Sequence, residues 1–149
     1  MSASRPIPAI AEKWAAAWNS KSAQAMADLF TEDGVYEDLA FQFTSAGLKA
    51  VAGWISVGAN HLPDLKIEIT DAFEADDRIA VRWTFSATPL LLGTIPSTGK
   101  RFSVPAASVF ELRGGRIAKV QDFYNLADVL RQLGLPSGPF VPGHLQVAA

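Results

Sequence analysis

The sequence predicts an α+β domain: helices first, then a curled, mostly antiparallel sheet wrapped round them, with an apolar pocket in between. Three observations carry this. Apolar residues recur at helical spacing through the first half. They alternate at strand spacing in four runs of the second half. Between two of those runs stands Gly114-Gly115, the composition of a tight hairpin turn.

Taken in order, Ile10, Trp14, Ala17 and Trp18 follow Pro6 and Pro8 and predict a first helix over about 7–19, ended by Asn19-Ser20. Ser22 caps a second helix running through residue 30, with Met26, Leu29 and Phe30 inward. Asp33-Gly34 reads as a turn and 35–39 as a short strand. Ser45 is the expected cap of a third helix over about 46–61, with Leu48, Val51, Ala52, Ile55 and Ala59 on one side and Pro63 as its stop. The strand at 65–74 points Leu65, Ile67, Ile69 and Phe73 one way, and Asp76-Asp77 turns the chain. Ile79, Val81, Trp83 and Phe85 define the next strand, followed by a loop over 90–99. From Phe102 to Leu112 the even-numbered residues share a face, and a bulge is expected at Pro105. The last strand spans 116–125. A short helix over 126–133 closes at Gly134, and the tail over 136–149 is irregular.

A chain of 149 residues is one domain, 1–149, with its core at about 7–135. Hydrophobic residues make up 49%, including nine Phe and four Trp, which excludes a disordered chain. A net charge of -2 without a basic run argues against nucleic acid or an anionic membrane as partner. Without cysteine there is no disulfide and no thiolate metal site. His61 and His144 lie too far apart for metal-ligand spacing, and 93–99 lacks a phosphate-loop pattern, so no metal or cofactor is expected. No apolar run reaches the length of a membrane span. The first eight residues lack a secretion-signal pattern, so a cytoplasmic location is expected.

The chemistry centres on Asp122. Alternation puts it on the apolar face of the last strand with Ala118, Val120 and Tyr124. A carboxylate there is poorly solvated, so its pKa rises towards that of a working acid or base. The competing reading is a turn cap or a partner of arginine. Arg82 is the nearest such arginine in the pattern. It points outward if Ile79, Val81, Trp83 and Phe85 line the pocket, and inward if they pack elsewhere. Asp71 is a second acid on an apolar face, either half of a carboxylate pair or turned out by a bulge. Asp38 stands at a strand end, as turn residue or polar contact. Tyr36 and Tyr124 are hydroxyl donors or core packing, and of the four tryptophans, mostly core, Trp54 is taken as an aromatic wall for a ligand.

The start Asp33-Gly-Val-Tyr-Glu-Asp38 after two helices resembles the NTF2-like superfamily. The segments 95–102, 108–111, 115–117, 122–124 and 126–134 resemble the SnoaL-like polyketide cyclases. The resemblance covers about residues 10 to 135. It implies the cone-shaped α+β fold and makes Asp122 the general acid/base of an aldol closure that needs no metal or cofactor. It extends more distantly to limonene-epoxide hydrolases. There Arg82 matches an arginine, Tyr36 and Asp38 stand where a tyrosine and an asparagine stand, and Thr84 replaces a second aspartate. Many cyclases also carry a Thr-His pair where this chain has Thr88-Pro89, which leaves His61 as the candidate for polarising a carbonyl.

The leading expectation is a cofactor-independent enzyme closing or isomerising a small apolar, polyketide-like substrate. Asp122, Arg82 and Tyr36 are its catalytic set, and Asp38, His61, Trp54, Thr84 and Tyr124 its binding set. The alternatives are an epoxide hydrolase and a non-catalytic binding domain. A homodimer is expected through the outer face of the sheet.

Overall fold

The computed structural model describes residues 5–91 and 94–139. Its elements are α1 (Ala9–Asn19), α2 (Ala23–Ala27), β1 (Phe30–Asp38), β2 (Phe43–Ala46), α3 (Leu48–His61), β3 (Lys66–Ala75), β4 (Arg78–Ala87), β5 (Phe102–Arg113), β6 (Arg116–Tyr124) and α4 (Leu126–Gln132). The six strands form one sheet in the order β2-β1-β6-β5-β4-β3. Every neighbouring pair is antiparallel except β1 and β6, which run parallel. This is the α+β architecture the patterning predicts. Among the described residues no helix is long and apolar enough to cross a membrane. His144 and residues 140–149 of the expected irregular tail lie outside the described residues, as do residues 92 and 93 of the expected loop.

Two elements differ from expectation in the first half. Ser45 does not cap a helix: it is buried in β2, which pairs with β1, and α3 starts instead from Gly47 at φ 86°. Ser22 does cap α2, its Oγ accepting the Ala25 N–H at 3.1 Å. That helix stops early because Phe30, fully buried, opens β1. Asp33-Gly34 is therefore an irregularity inside a strand, where the β1–β6 register shifts between Phe30 and Val35. Glycine is required there, because a Cβ on Gly34 would come within 2.7 Å of the Phe30 ring and 2.9 Å of the Thr31 carbonyl oxygen.

In the second half the strands stand where alternation puts them, but the bulges do not. Pro105 makes none: β4 and β5 pair without a break from Arg78↔Glu111 to Ala87↔Phe102. Pro105 lies beyond the last β6 partner, Ala106↔Tyr124, so β6 forms no ladder there. One bulge falls in β3 between Ile69 and Asp71. It turns Ala72 inward and leaves Phe73 44% exposed, with the Arg5 guanidinium 5.4 Å from its ring centre. Asp71 accepts its neighbour's backbone N–H from Ala72 at 2.9 Å.

The second bulge falls in β6. Gly114 and Gly115, both at positive φ, turn the chain, and Leu112 pairs with Ile117. The next pair is Glu111↔Lys119, so Ala118 is an extra residue with no partner on β5. The extra residue exchanges the two faces of the strand. Ile117 points inward before it, and Val120 and Asp122 point inward after it.

The core lies between the inner face of this sheet and α1 and α3. Trp14 is fully buried and meets Trp83 and Phe110 edge-on at 5.3 and 5.4 Å between ring centres. Val51 and Ile55 anchor α3 with no exposed surface. Burying side chains of this size is worth roughly 1.5–3 kcal/mol each. Gly58 lets α3 come down onto Trp18, since a Cβ there would lie 2.6 Å from the indole ring.

Candidate active site

Three adjacent strands bring the site together. The parallel β1–β6 register sets Asp38 beside Asp122 and Tyr36 beside Val120. The antiparallel β5–β6 register, as reset by the bulge, sets Ser108 opposite Asp122. From above, α1 lowers Trp14 and Trp18 onto Tyr36.

Asp122 is only 4% exposed, and each of its oxygens accepts one hydroxyl. Tyr36 donates to Oδ2 at 2.8 Å and Ser108 to Oδ1 at 2.6 Å. Both donors are themselves held. The Tyr36 oxygen accepts the indole N–H of Trp14 at 3.1 Å and of Trp18 at 2.9 Å, and Ser108 accepts that of Trp83 at 2.9 Å. With two indole donors on its oxygen, Tyr36 has its proton left only for the carboxylate. Asp38 is bound differently. Its Oδ1 accepts the Phe41 backbone N–H at 2.7 Å, and its Oδ2 the Tyr124 hydroxyl at 2.8 Å. No buried side-chain nitrogen or oxygen among the described residues lacks a partner.

Burial raises the Asp122 pKa from 3.8 to about 7; the hydroxyls of Ser108 and Tyr36 pull it back down, and the Asp38 charge pushes it up. Burial likewise raises Asp38, against the Phe41 N–H and the Tyr124 hydroxyl. Tyr36 and Tyr124 are both raised, by burial first and then by the aspartate each one serves.

Asp122 and Asp38 line a pocket enclosing about 560 Å³ of empty space, its open mouth included. Its walls are aromatic: Trp18, Trp54, Trp83, Phe85, Phe41 and Tyr124 all contribute. At the end of α3, His61 joins the lining, its Nδ1 2.5 Å from the Leu91 carbonyl oxygen. A carbonyl only accepts, so Nδ1 carries the hydrogen, and a neutral His61 presents Nε2 as an acceptor.

The predicted set is thus divided. The pocket gathers Asp122, Asp38, His61, Trp54 and Tyr124. Tyr36, 1% exposed, stands behind Asp122 rather than on the wall, so it holds the acid and does not contact a ligand. Arg82 and Thr84 lie apart from the pocket, and of the two orientations open to Arg82 the structure has the outward one. Val81, Trp83 and Phe85 turn inward, so strand alternation sends both to the other face. Arg82 is exposed there, beside Pro105, Ala107 and Phe123. The chemistry changes accordingly: no arginine among the described residues lines the pocket, and burial raises the acid. Sequence reasoning missed Ser108 as a partner of Asp122. Its hydroxyl among Ala106 and Phe110 on an apolar face was the available signal.

The profile of the SnoaL-like domain matches residues 11–120. A protein of ketosteroid isomerase-like fold from Catenulispora acidiphila, crystallised in complex with trimethylamine, is 31% identical. The match covers 92% of this chain and 100% of that one, with a TM-score of 0.79. A candidate polyketide cyclase from Pseudomonas putida shares 24% identity over 83% of this chain and 94% of its own, TM-score 0.70. A candidate SnoaL-like polyketide cyclase from Jannaschia is 16% identical over 91% and 99%, TM-score 0.72. No curated protein sequence matches the chain. With the profile spanning residues 11–120 of the 149, this chain belongs to the SnoaL-like family, on an NTF2-like, ketosteroid isomerase-like fold.

Proposed function

We propose that the protein is a cofactor-independent enzyme in which Asp122 moves a proton between carbon and oxygen, or between two carbons, of a small carbonyl compound. One observation carries this reading. A carboxyl group sits at the floor of an aromatic pocket with its pKa near 7, so both its forms are populated at neutral pH. As the carboxylate, Asp122 takes a proton from the carbon next to a carbonyl, and the electron pair moves onto the carbonyl oxygen. As the acid, it returns that proton. Return to a different carbon gives isomerisation. Return to the alkoxide, after the enolate carbon has attacked a second carbonyl, gives ring closure. In each case the proton taken up equals the proton released. The Catenulispora protein was crystallised in complex with trimethylamine, and a compact ligand on a relative is in keeping with a small substrate here.

Epoxide hydrolysis is the weaker reading: Thr84 stands where that branch has a second aspartate, and Arg82 lies on the face of β4 opposite Trp83. A purely binding role is disfavoured because side-chain hydroxyls hold the acid and the pocket beside it is open.

The test is carbon-acid exchange. A small β,γ-unsaturated ketone in deuterated water, followed by proton NMR, reads the transfer without knowledge of the natural product. The chain should accelerate exchange, and Asp122→Asn should lose roughly a hundredfold or more of that acceleration with its circular dichroism unchanged. Equal exchange by the Asn variant would overturn the assignment.

A further inference from the structure

The charge of the pocket is out of balance. Two aspartates stand side by side on neighbouring strands, Asp38 in register with Asp122, and both are nearly fully buried. Among the described residues, no lysine or arginine lines the pocket. Among the described residues the groups bound to the two carboxylates are neutral: hydroxyls of Tyr36, Ser108 and Tyr124 and backbone N–H groups of the turn after Asp38. Two buried anions without a cation are costly in a medium of low dielectric. When the pocket is empty a proton on one of them relieves this. A positive ligand would relieve it better, because each carboxylate oxygen still has a free lone pair.

The walls say which positive ligand. Calcium and magnesium want six or more oxygens at short range, and two carboxylates among indole and phenyl rings supply few of them. No cluster of three or more metal-binding side chains occurs among the described residues. Aromatic rings round an anionic floor suit an alkylated ammonium group instead, whose charge is spread over methyl groups that the rings can cover. The same floor repels carboxylates and phosphates.

We propose that the pocket takes a small organic cation, a tertiary or quaternary ammonium group, seated against Asp38 and Asp122 and boxed by Trp18, Trp54 and Trp83. This rests on the reading above and refines it: the substrate is a carbonyl compound bearing an amine, anchored by Asp38 while Asp122 does the proton transfer. The charged or titratable groups facing the two acids are Tyr36 on β1, Tyr124 on β6 and His61 on α3; β5 contributes only Ser108.

Choline and its neutral carbon isostere, 3,3-dimethylbutanol, make the test. They match in shape and differ in charge. Binding is read by calorimetry and by quenching of the pocket tryptophans, with no turnover involved. At a pH of about 8.5 the whole protein should prefer choline at least tenfold. At a pH of about 5.5, where Asp122 holds its own proton, the preference should shrink, and it should shrink equally in His61→Gln. Asp38→Asn, which keeps the acceptor for the Phe41 N–H, should remove most of the preference at the higher pH. A smaller preference in the native protein, no choline binding at roughly 10 mM, or a full preference in Asp38→Asn would overturn the proposal. Because exchange of carbon-bound protons is measured separately, a failure here leaves the acid/base reading of Asp122 standing, and the reverse also holds.

Discussion

The floor and the mouth of the pocket are built on opposite plans. At the floor, Asp122 is gripped by Tyr36 and Ser108, and those by the indoles of Trp14, Trp18 and Trp83, all from regular elements. At the mouth, Trp54 stacks on Phe43 at 4.7 Å between ring centres, and Phe43 is 47% exposed. His61 there reaches only a loop carbonyl at Leu91. The floor fixes one acid in one geometry, as proton transfer demands. The mouth presents apolar surface with few polar ties, as discrimination between ligands demands.

Breaking this contrast gives effects of graded size. The largest is in stability against pH. The folded chain keeps a proton on Asp122 up to about 7, whereas an unfolded one loses it near 3.8. Between those values the native state therefore holds more protons, and stability falls as pH rises, full below about 4 and lost above about 7. A raise of this size corresponds to on the order of 4 kcal/mol as an upper limit. Urea unfolding at intervals across that range should show the decline, and Asp122→Asn should flatten it. A native protein equally stable throughout would mean that the floor does not shelter an uncharged acid.

Next comes Tyr36→Phe. It leaves the indole N–H groups of Trp14 and Trp18 without their acceptor and takes one donor from Asp122. The loss should be roughly 2–4 kcal/mol in denaturant unfolding. Since that hydroxyl lowers the Asp122 pKa, the basic form should appear at higher pH in the variant, seen as a shift of the exchange-rate profile. At the mouth, Trp54→Ala should weaken ligand binding several-fold while leaving the maximal rate within about twofold, because it removes wall and not chemistry. Smallest of all is Arg82→Ala on the outer face. It should change activity by less than about twofold and stability by less than about 0.5 kcal/mol. A large loss of activity there would reinstate the arginine that alternation turned away.

Which residues share a face between bulges was legible in the sequence, because alternation is a local property. It grouped Val81, Trp83 and Phe85 on one face, opposite Arg82, and put Asp122 among apolar neighbours. What depended on register was not legible. Ser108 and Asp122 are 14 residues apart, and whether they meet is decided by one unpaired residue between them. The four residues of β2 were too few to show a period, and Ser45 looked like a cap because a helix does begin nearby. The bulge at Pro105 was expected from its missing N–H, but the partner strand ends just short of it. Arg82 followed the resemblance inward on one reading and alternation outward on the other, and alternation was the physical constraint.

Ala118 has a consequence for how such a chain can change. Removing that one residue would leave a hairpin with the same turn and nearly the same length. Every side chain after it would trade sides, so Gln121 would enter the hollow and the acid would meet bulk water. Spacing between the glycine turn and the aspartate therefore behaves like an odd-or-even counter. In this architecture a single-codon deletion, with no substitution at all, should move the acid out of the hollow and bring Lys119 and Gln121 in where Val120 and Asp122 now stand.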